Sequence, residues 1–303
     1  MLPIFKFIKE WMLPIAMFFG AVTYPISGRL AVLTPYLIFS MLLLTFCKLS
    51  PREIRFHPAH AKLLAFQLIG CVLIYVALYK INPIIAQGAM ICVLAPTATS
   101  AAVITGMLGG SVAFLTSYLI FCNIAVAIAA PLLFPLFGSY TNMLFFDSVL
   151  YICKEVGPVL ILPLITAWIL RYGFPKIHER IVRIHLLSFY LWALALLIVT
   201  GRTVKFLIEQ ENPNYSIEIS CAAVSLVICC GQFLLGRKIG SKYNDPVSSG
   251  QGLGQKNTIL AIWMAQIYLN PISSVAPAGY VLWQNIINSY QLWLRNKRIT
   301  NKQ

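Results

Sequence analysis

The stretch "SSGQGLGQKNTILAIWMA", Ser248–Ala265, interrupts a run of hydrocarbon with three glycines, several amides and a lysine. Glycine is a poor helix former and a buried ammonium is costly in lipid, so this is weak material for an ordinary span. An earlier stretch, "VLAPTATSAAVITGMLGG", Val93–Gly110, has the same character, with a proline, four threonine or serine hydroxyls and three glycines. Both place helix breakers and small polar side chains at bilayer depth. Backbone freed there must be satisfied by protein or water, because lipid offers no partner. Small residues also serve close helix packing, but these breaks carry more polar groups than packing requires.

The surroundings make the breaks meaningful. The 303 residues are 59% hydrophobic and 11% charged, with mean hydropathy +0.80. Soluble domains carry roughly 25% charged residues, so the composition is that of an integral membrane protein. Apolar runs such as "LLAFQLIGCVLIYVALY" recur between polar connectors, which indicates helical spans and excludes the short alternating strands of a β-barrel. Ten spans are expected near 11–27, 31–47, 63–80, 84–108, 112–137, 148–170, 186–203, 217–235, 248–268 and 275–294, the fourth and ninth broken. The basic, apolar start is expected to persist as the first span. The eight cysteines show no metal or redox spacing and read as small buried apolar residues.

The net charge of +14 does not point to nucleic acid, because of where it falls. With ten spans, one face collects Lys6, Lys9, Lys48, Arg52, Arg55, Lys62, Arg171, Lys176, Arg180, Arg183, Arg237, Lys238, Lys242, Arg295, Lys297, Arg298 and Lys302, 17 of the 23 Lys and Arg. The opposite face holds Arg29, Lys80, Arg202 and Lys205, while Lys154 and Lys256 lie within spans. This asymmetry predicts both termini in the cytoplasm, in a plasma (inner) membrane. Trp11, Trp168, Trp192 and Trp293 fall near span ends, as interfacial aromatics do.

Internal symmetry is visible too. "EWMLPIAM" (Glu10–Met17) has a counterpart in "KEVGPVLI" (Lys154–Ile161), with Pro14 and Pro158 lying 144 residues apart. "IAAPLLFPLF" (Ile128–Phe137) resembles "SVAPAGYVLW" (Ser274–Trp283), with Pro131 and Pro277 lying 146 apart. Five spans separate the copies, an odd number, which predicts two inverted five-helix repeats over 1–147 and 148–303. The two breaks then occupy corresponding spans, the best sequence pointer to a central transport site.

At these stretches the chain resembles the bile acid:sodium symporter family. The likeness rests on "APTATSAAVITGMLGG", on "GQKNTILA", and on the ending "NPISSVAPAGYVLWQNI" with Trp283, Asn285 and Ile286. It implies an all-α fold of ten transmembrane helices, a core domain from spans 3–5 and 8–10 with helices 4 and 9 crossing, and a panel from spans 1, 2, 6 and 7. It also implies symport of organic anions driven by two sodium ions near the crossover.

Carried over residue by residue, the sodium ligands are degenerate. Aligning Pro96 puts Ala101 and Ala102 where the family's fourth helix supplies a serine–asparagine pair, leaving Thr97, Thr99, Ser100 and Thr105 nearby. Aligning Gly254 and Asn257 with the family's Glu-Val-Gly-x-Gln-Asn puts Gly252 at the glutamate and Lys256 at the glutamine. Gln67 matches the span-three glutamine of the second sodium site. Leu115 and Leu119 fall at the span-five hydroxyls, with Thr116 and Ser117 close by. A lysine ammonium is a single positive charge that can occupy a sodium-sized site and donate to carbonyls freed by the break.

The expected function is therefore secondary transport of a small organic anion by a monomer in the bilayer, without a bound metal or other cofactor. Sodium coupling is doubtful, and the lysine makes proton coupling an alternative. The crossover set is Pro96, Thr97, Thr99, Ser100, Thr105, Gly252, Gly254, Gln255, Lys256 and Asn257, supported by Gln67, Thr116 and Asn285. The glycines are expected to let the ninth span unwind and its backbone approach the site closely. Asn123, Asn285 and Asn288 read as helix–helix contacts, Lys154 and Glu155 as an interfacial or mutual pair, and His57, His60, His178 and His185 as connector residues without metal spacing. A channel-like or non-transporting homologue is the competing reading. An enzyme is not expected, since the nine Asp and Glu lie mostly in connectors.

Overall fold

The computed structural model describes residues 12–49, 54–138, 144–184, 187–210, 213 and 215–300, which form helices joined by short connectors, with one isolated bridge between two of the connectors. Lys6, Lys9, Trp11, Arg52, His185 and Lys302 lie outside the described residues. In chain order the helices are α1 (Met12–Val22), α2 (Tyr24–Ser27), α3 (Thr34–Phe46), α4 (Pro58–Tyr79), α5 (Pro83–Leu94), α6 (Ala101–Met107) and α7 (Val112–Phe137). They continue as α8 (Phe145–Gly173), α9 (Pro175–Arg183), α10 (Leu187–Ile208), α11 (Tyr215–Ser241), α12 (Pro246–Gly254), α13 (Thr258–Tyr268) and α14 (Val275–Thr300). Six helical segments are long and apolar enough to cross a membrane: Arg29–Phe46, α4, α7, α8, α10 and α11. The shorter α5 and α13 are also apolar.

Local chemistry fixes where the broken spans begin. Asn82 and Asp245 each precede a proline. The Asn82 side chain accepts from the Ile84 and Ile85 amides, and that of Asp245 from the Ser248 amide. A capping acceptor followed by proline at the first helical position is a strong start signal, because proline's missing amide needs no partner there. Both interrupted helices open in this way. At the far end of the first, the turn from α6 to α7 passes through Gly109 at φ +78°, a conformation that favours glycine.

The chain divides into two compact units, Met1–Leu49 with Lys154–Asn214, and Ser50–Cys153 with Tyr215–Gln303. In the first unit α10 packs on α1, α2 and α3. The connector after α3 is tied down by Arg171, which donates to the Leu49 carbonyl at 2.6 Å, and by His178, whose Nε2 pairs with the Cys47 carbonyl at 2.8 Å.

In the second unit α5 and α13 are buried almost all round, as helices in the middle of a membrane bundle are. α5 packs on α4, α7, α11, α13 and α14, and α13 packs on α5, α14 and the 3-10 turn Pro271–Ser274. The glycines of α12 serve close packing. A Cβ on Gly252 would stand 2.9 Å from the Tyr118 ring, and one on Gly254 would stand 2.6 Å from two carbons of the Phe233 ring. Unwinding is not their role: α12 stays helical through Gly254, and the break falls afterwards, at Gln255–Asn257.

Candidate functional site

Two interrupted helices end in the interior of the second unit, and their ends meet. Between α5 and α6 the backbone is extended near Thr97, and between α12 and α13 near Lys256. The two residues form an antiparallel bridge. Its flanking bonds run from the Ala98 amide to the Gln255 carbonyl at 2.9 Å and from the Asn257 amide to the Pro96 carbonyl at 2.7 Å. Each break thus satisfies part of the other's freed backbone, which lipid could not do.

The last carbonyls of a helix have no intrahelical donor, and at the end of α5 side chains supply them. Gln232 Nε2 donates to the Cys92 carbonyl at 3.2 Å. Lys256 Nζ donates to the Val93 carbonyl at 3.0 Å. Gln67 Nε2 takes the carbonyls of Leu94 and Ala95, at 2.7 and 3.0 Å. The ammonium therefore sits on the negative end of the α5 dipole, a favourable place for a cation.

Lys256 is 1% exposed and among the largest fully buried side chains. Among the described residues it has no carboxylate within ion-pair distance. Its electrostatic neighbours are the thiols of Cys71, Cys92 and Cys122, from three different helices. Its own amide donates to Gln284 Oε1 at 2.9 Å, which fixes the backbone from which the side chain departs.

The end of α12 is supplied differently. The Thr97 hydroxyl donates to the Gly252 carbonyl and the Tyr280 hydroxyl to the Gly254 carbonyl, both at 2.7 Å. Gln255 Nε2 reaches across to the Ser100 hydroxyl at 2.9 Å. Asn257 caps α13 by accepting from the Leu260 amide at 3.3 Å.

Most of the residues singled out from sequence come together here. Pro96, Thr97, Gly252, Gly254, Gln255 and Lys256 are buried in the crossing, while Thr99 and Asn257 are half-buried and Ser100 exposed along its edge. Gln67 is buried among them, its Oε1 accepting from the Tyr118 hydroxyl at 3.0 Å and the Cys122 thiol at 3.2 Å. Thr105 is buried in α6 with its hydroxyl unpaired. Thr116 is buried in α7. Among the described residues Asn285 bonds within its own helix, to the Val281 carbonyl, and the neighbouring Gln284 reaches the site.

Of the expected helix–helix asparagines, Asn288 does pair with Gln251 of α12, whereas Asn123 bonds back to Leu119. His57 and His60 are not loose connector residues: His57 caps α4 and His60 is buried in its first turn. Lys154 and Glu155 are both exposed. Among the described residues no His, Cys, Asp and Glu group could hold a metal ion. Six of the eight cysteines are buried, Cys153 being exposed and Cys230 intermediate.

Sequence reasoning missed Gln232, Tyr280 and Gln284. Each is a polar residue in an apolar helix, a signal present in the sequence but shared with residues that face elsewhere.

The family model for the sodium bile acid symporter family matches residues 35–210, more than half of the 303 residues, and the chain belongs to that family. With its long apolar helices, it is an integral, multi-pass membrane protein. The matched stretch includes the first break and ends before the second. No curated protein matches the chain.

Proposed function

We propose that this member of the sodium bile acid symporter family is a secondary transporter of a small organic anion in which the Lys256 ammonium does the work of a bound coupling ion. Ten spans would form two inverted repeats, with both termini in the cytoplasm and the chain acting as a monomer. Several features support that architecture: the shared Asx-Pro starts of the two broken spans, the charge asymmetry of the connectors, and a division that groups spans 1, 2, 6 and 7 apart from the other six.

One observation carries the proposal. A buried ammonium, without a carboxylate partner among the described residues, joins one broken helix to the carbonyl end of the other. A metal ion bound at such a place must collect several oxygens; Ala101, Ala102 and Gly252 offer no side-chain oxygen. A tethered cation supplies the positive charge permanently and leaves the site able to attract an anion. Sodium is then dispensable, and coupling to a proton gradient requires in addition that Lys256 lose and regain its proton during the cycle.

The test is uptake by the purified protein in proteoliposomes, with a panel of small mono- and dicarboxylates and imposed sodium or proton gradients. The proposal expects accumulation of at least one carboxylate and its loss in Lys256→Met. If no carboxylate accumulates and none raises the melting temperature as a ligand of the folded state should, the non-transporting reading takes its place.

A further inference from the structure

The first unit carries a second concentration of positive charge that the crossing does not use. Gly28, the 3-10 turn Arg29–Leu33 and the last turns of α10 line an open cavity of about 440 Å³ with Arg29, Arg202, Lys205 and, just past α10, Glu209, and with Ala31, Val32 and Phe206 as its apolar wall. The Arg202 guanidinium lies over the Phe206 ring, 5.5 Å from its centroid. Lys205 pairs with Glu209 at 3.9 Å, with side chains 35% and 57% exposed, an arrangement that contributes little on its own. The Lys205 stem lies against Gly28, where a Cβ would stand 3.1 Å from it. Among the described residues the lining therefore has three cations and one carboxylate.

That grouping needs a reason. On the orientation proposed above, four Lys and Arg fall on the side opposite the basic connectors, and three of them meet in this cavity although the two stretches lie about 170 residues apart in sequence. Cations on that face work against the orientation set by the other connectors. Snorkelling to a headgroup explains one basic residue at a span end, but not three converging on a concave surface. Like charges brought together repel, and an anion between them relieves the repulsion. Two guanidinium forks suit the planar, two-oxygen edge of a carboxylate or a phosphate, and the cavity volume is in the range of small-molecule sites.

We propose that this cavity binds an oxyanion, the carboxylate or phosphate group of a small organic anion, at the face opposite the basic connectors. Arg29 and Arg202 hold the oxygens and Ala31, Val32 and Phe206 receive the apolar body. A fixed positive potential there also draws anions to the protein before they reach the crossing. This role in capture rests on the transport reading, while the binding site itself does not.

Arginine-selective modification with phenylglyoxal, read residue by residue by mass spectrometry, tests the site on the full chain in phosphatidylcholine nanodiscs. Saturating succinate or inorganic phosphate should slow modification of Arg29 and Arg202 about tenfold, the scale of one charge-assisted contact. Chloride at equal ionic strength should not, and the exposed Arg183 should be unaffected by any of them. Arg202→Gln should abolish protection of Arg29, and Arg202→Lys, which keeps the charge without the fork, should retain part of it.

Protection by phosphatidylglycerol nanodiscs without added anion would support the site and identify a lipid phosphate as its source. Lys256→Met should leave the protection unchanged while removing uptake, so loss of transport and loss of this site are separate results. Equal modification rates under all conditions, or Arg29 protection that survives Arg202→Gln, would overturn the proposal.

Discussion

The two crossing half-helices end alike in geometry and differently in chemistry. At the end of α5 the freed carbonyls of Cys92, Val93, Leu94 and Ala95 are met by two glutamine amides and an ammonium. At the end of α12 those of Gly252, Gly254 and Gln255 are met by the Thr97 and Tyr280 hydroxyls and the Ala98 amide. Both ends carry the negative pole of a helix dipole, yet only one receives a full charge. Satisfying hydrogen bonds is therefore not what requires the lysine, because the α12 end achieves it with neutral groups. On the proposal above, the charge serves the transport function.

If that is right, substitutions at the two ends should have unequal consequences. The largest effect is on uptake. Lys256→Met should reduce it to background while leaving the melting temperature close to the wild type, since relief of a desolvated charge offsets the lost bond to Val93. Thr97→Val at the other end should keep most of the uptake. Equal losses would show that the two ends serve uptake equally.

Next in size is Gly254→Ala, which forces a methyl against the Phe233 ring and should destabilise by about 3 kcal/mol, read as a lowered melting temperature. Gln67→Leu strips two carbonyls of α5 and the Tyr118 hydroxyl of partners, costing about 2 kcal/mol. Thr97→Val removes one neutral bond and should cost about 1 kcal/mol.

Much of this was legible in the sequence because breaks inside apolar spans are rare and costly. Pro96 and the lysine among glycines marked the two interruptions, and these pair through the Thr97–Lys256 bridge. Span ends such as Val112 and Phe137 followed from the hydropathy pattern, and Asn82-Pro83 and Asp245-Pro246 carried start signals of their own.

The role of the glycines was not legible. Gly252 and Gly254 as a helix breaker or as a packing face look the same in one dimension, and the Tyr118 and Phe233 rings against them decide between the two. Nor could sequence choose Gln284 over Asn285, adjacent amides on one helix of which only the first faces the break. A side chain at position 252 would bring its Cβ within 2.9 Å of the Tyr118 ring, so a glutamate there requires that ring to shift.

The central claim is that a tethered ammonium replaces a diffusible cation at the crossing. It is tested most directly by the initial rate of carboxylate uptake into proteoliposomes, with sodium replaced by choline at constant ionic strength and pH. The unmodified protein should take up carboxylate at the same rate in both salts. A rate that rises saturably with sodium would contradict it, showing that an ion still binds beside Lys256 and that the lysine holds the broken helices without standing in for that ion.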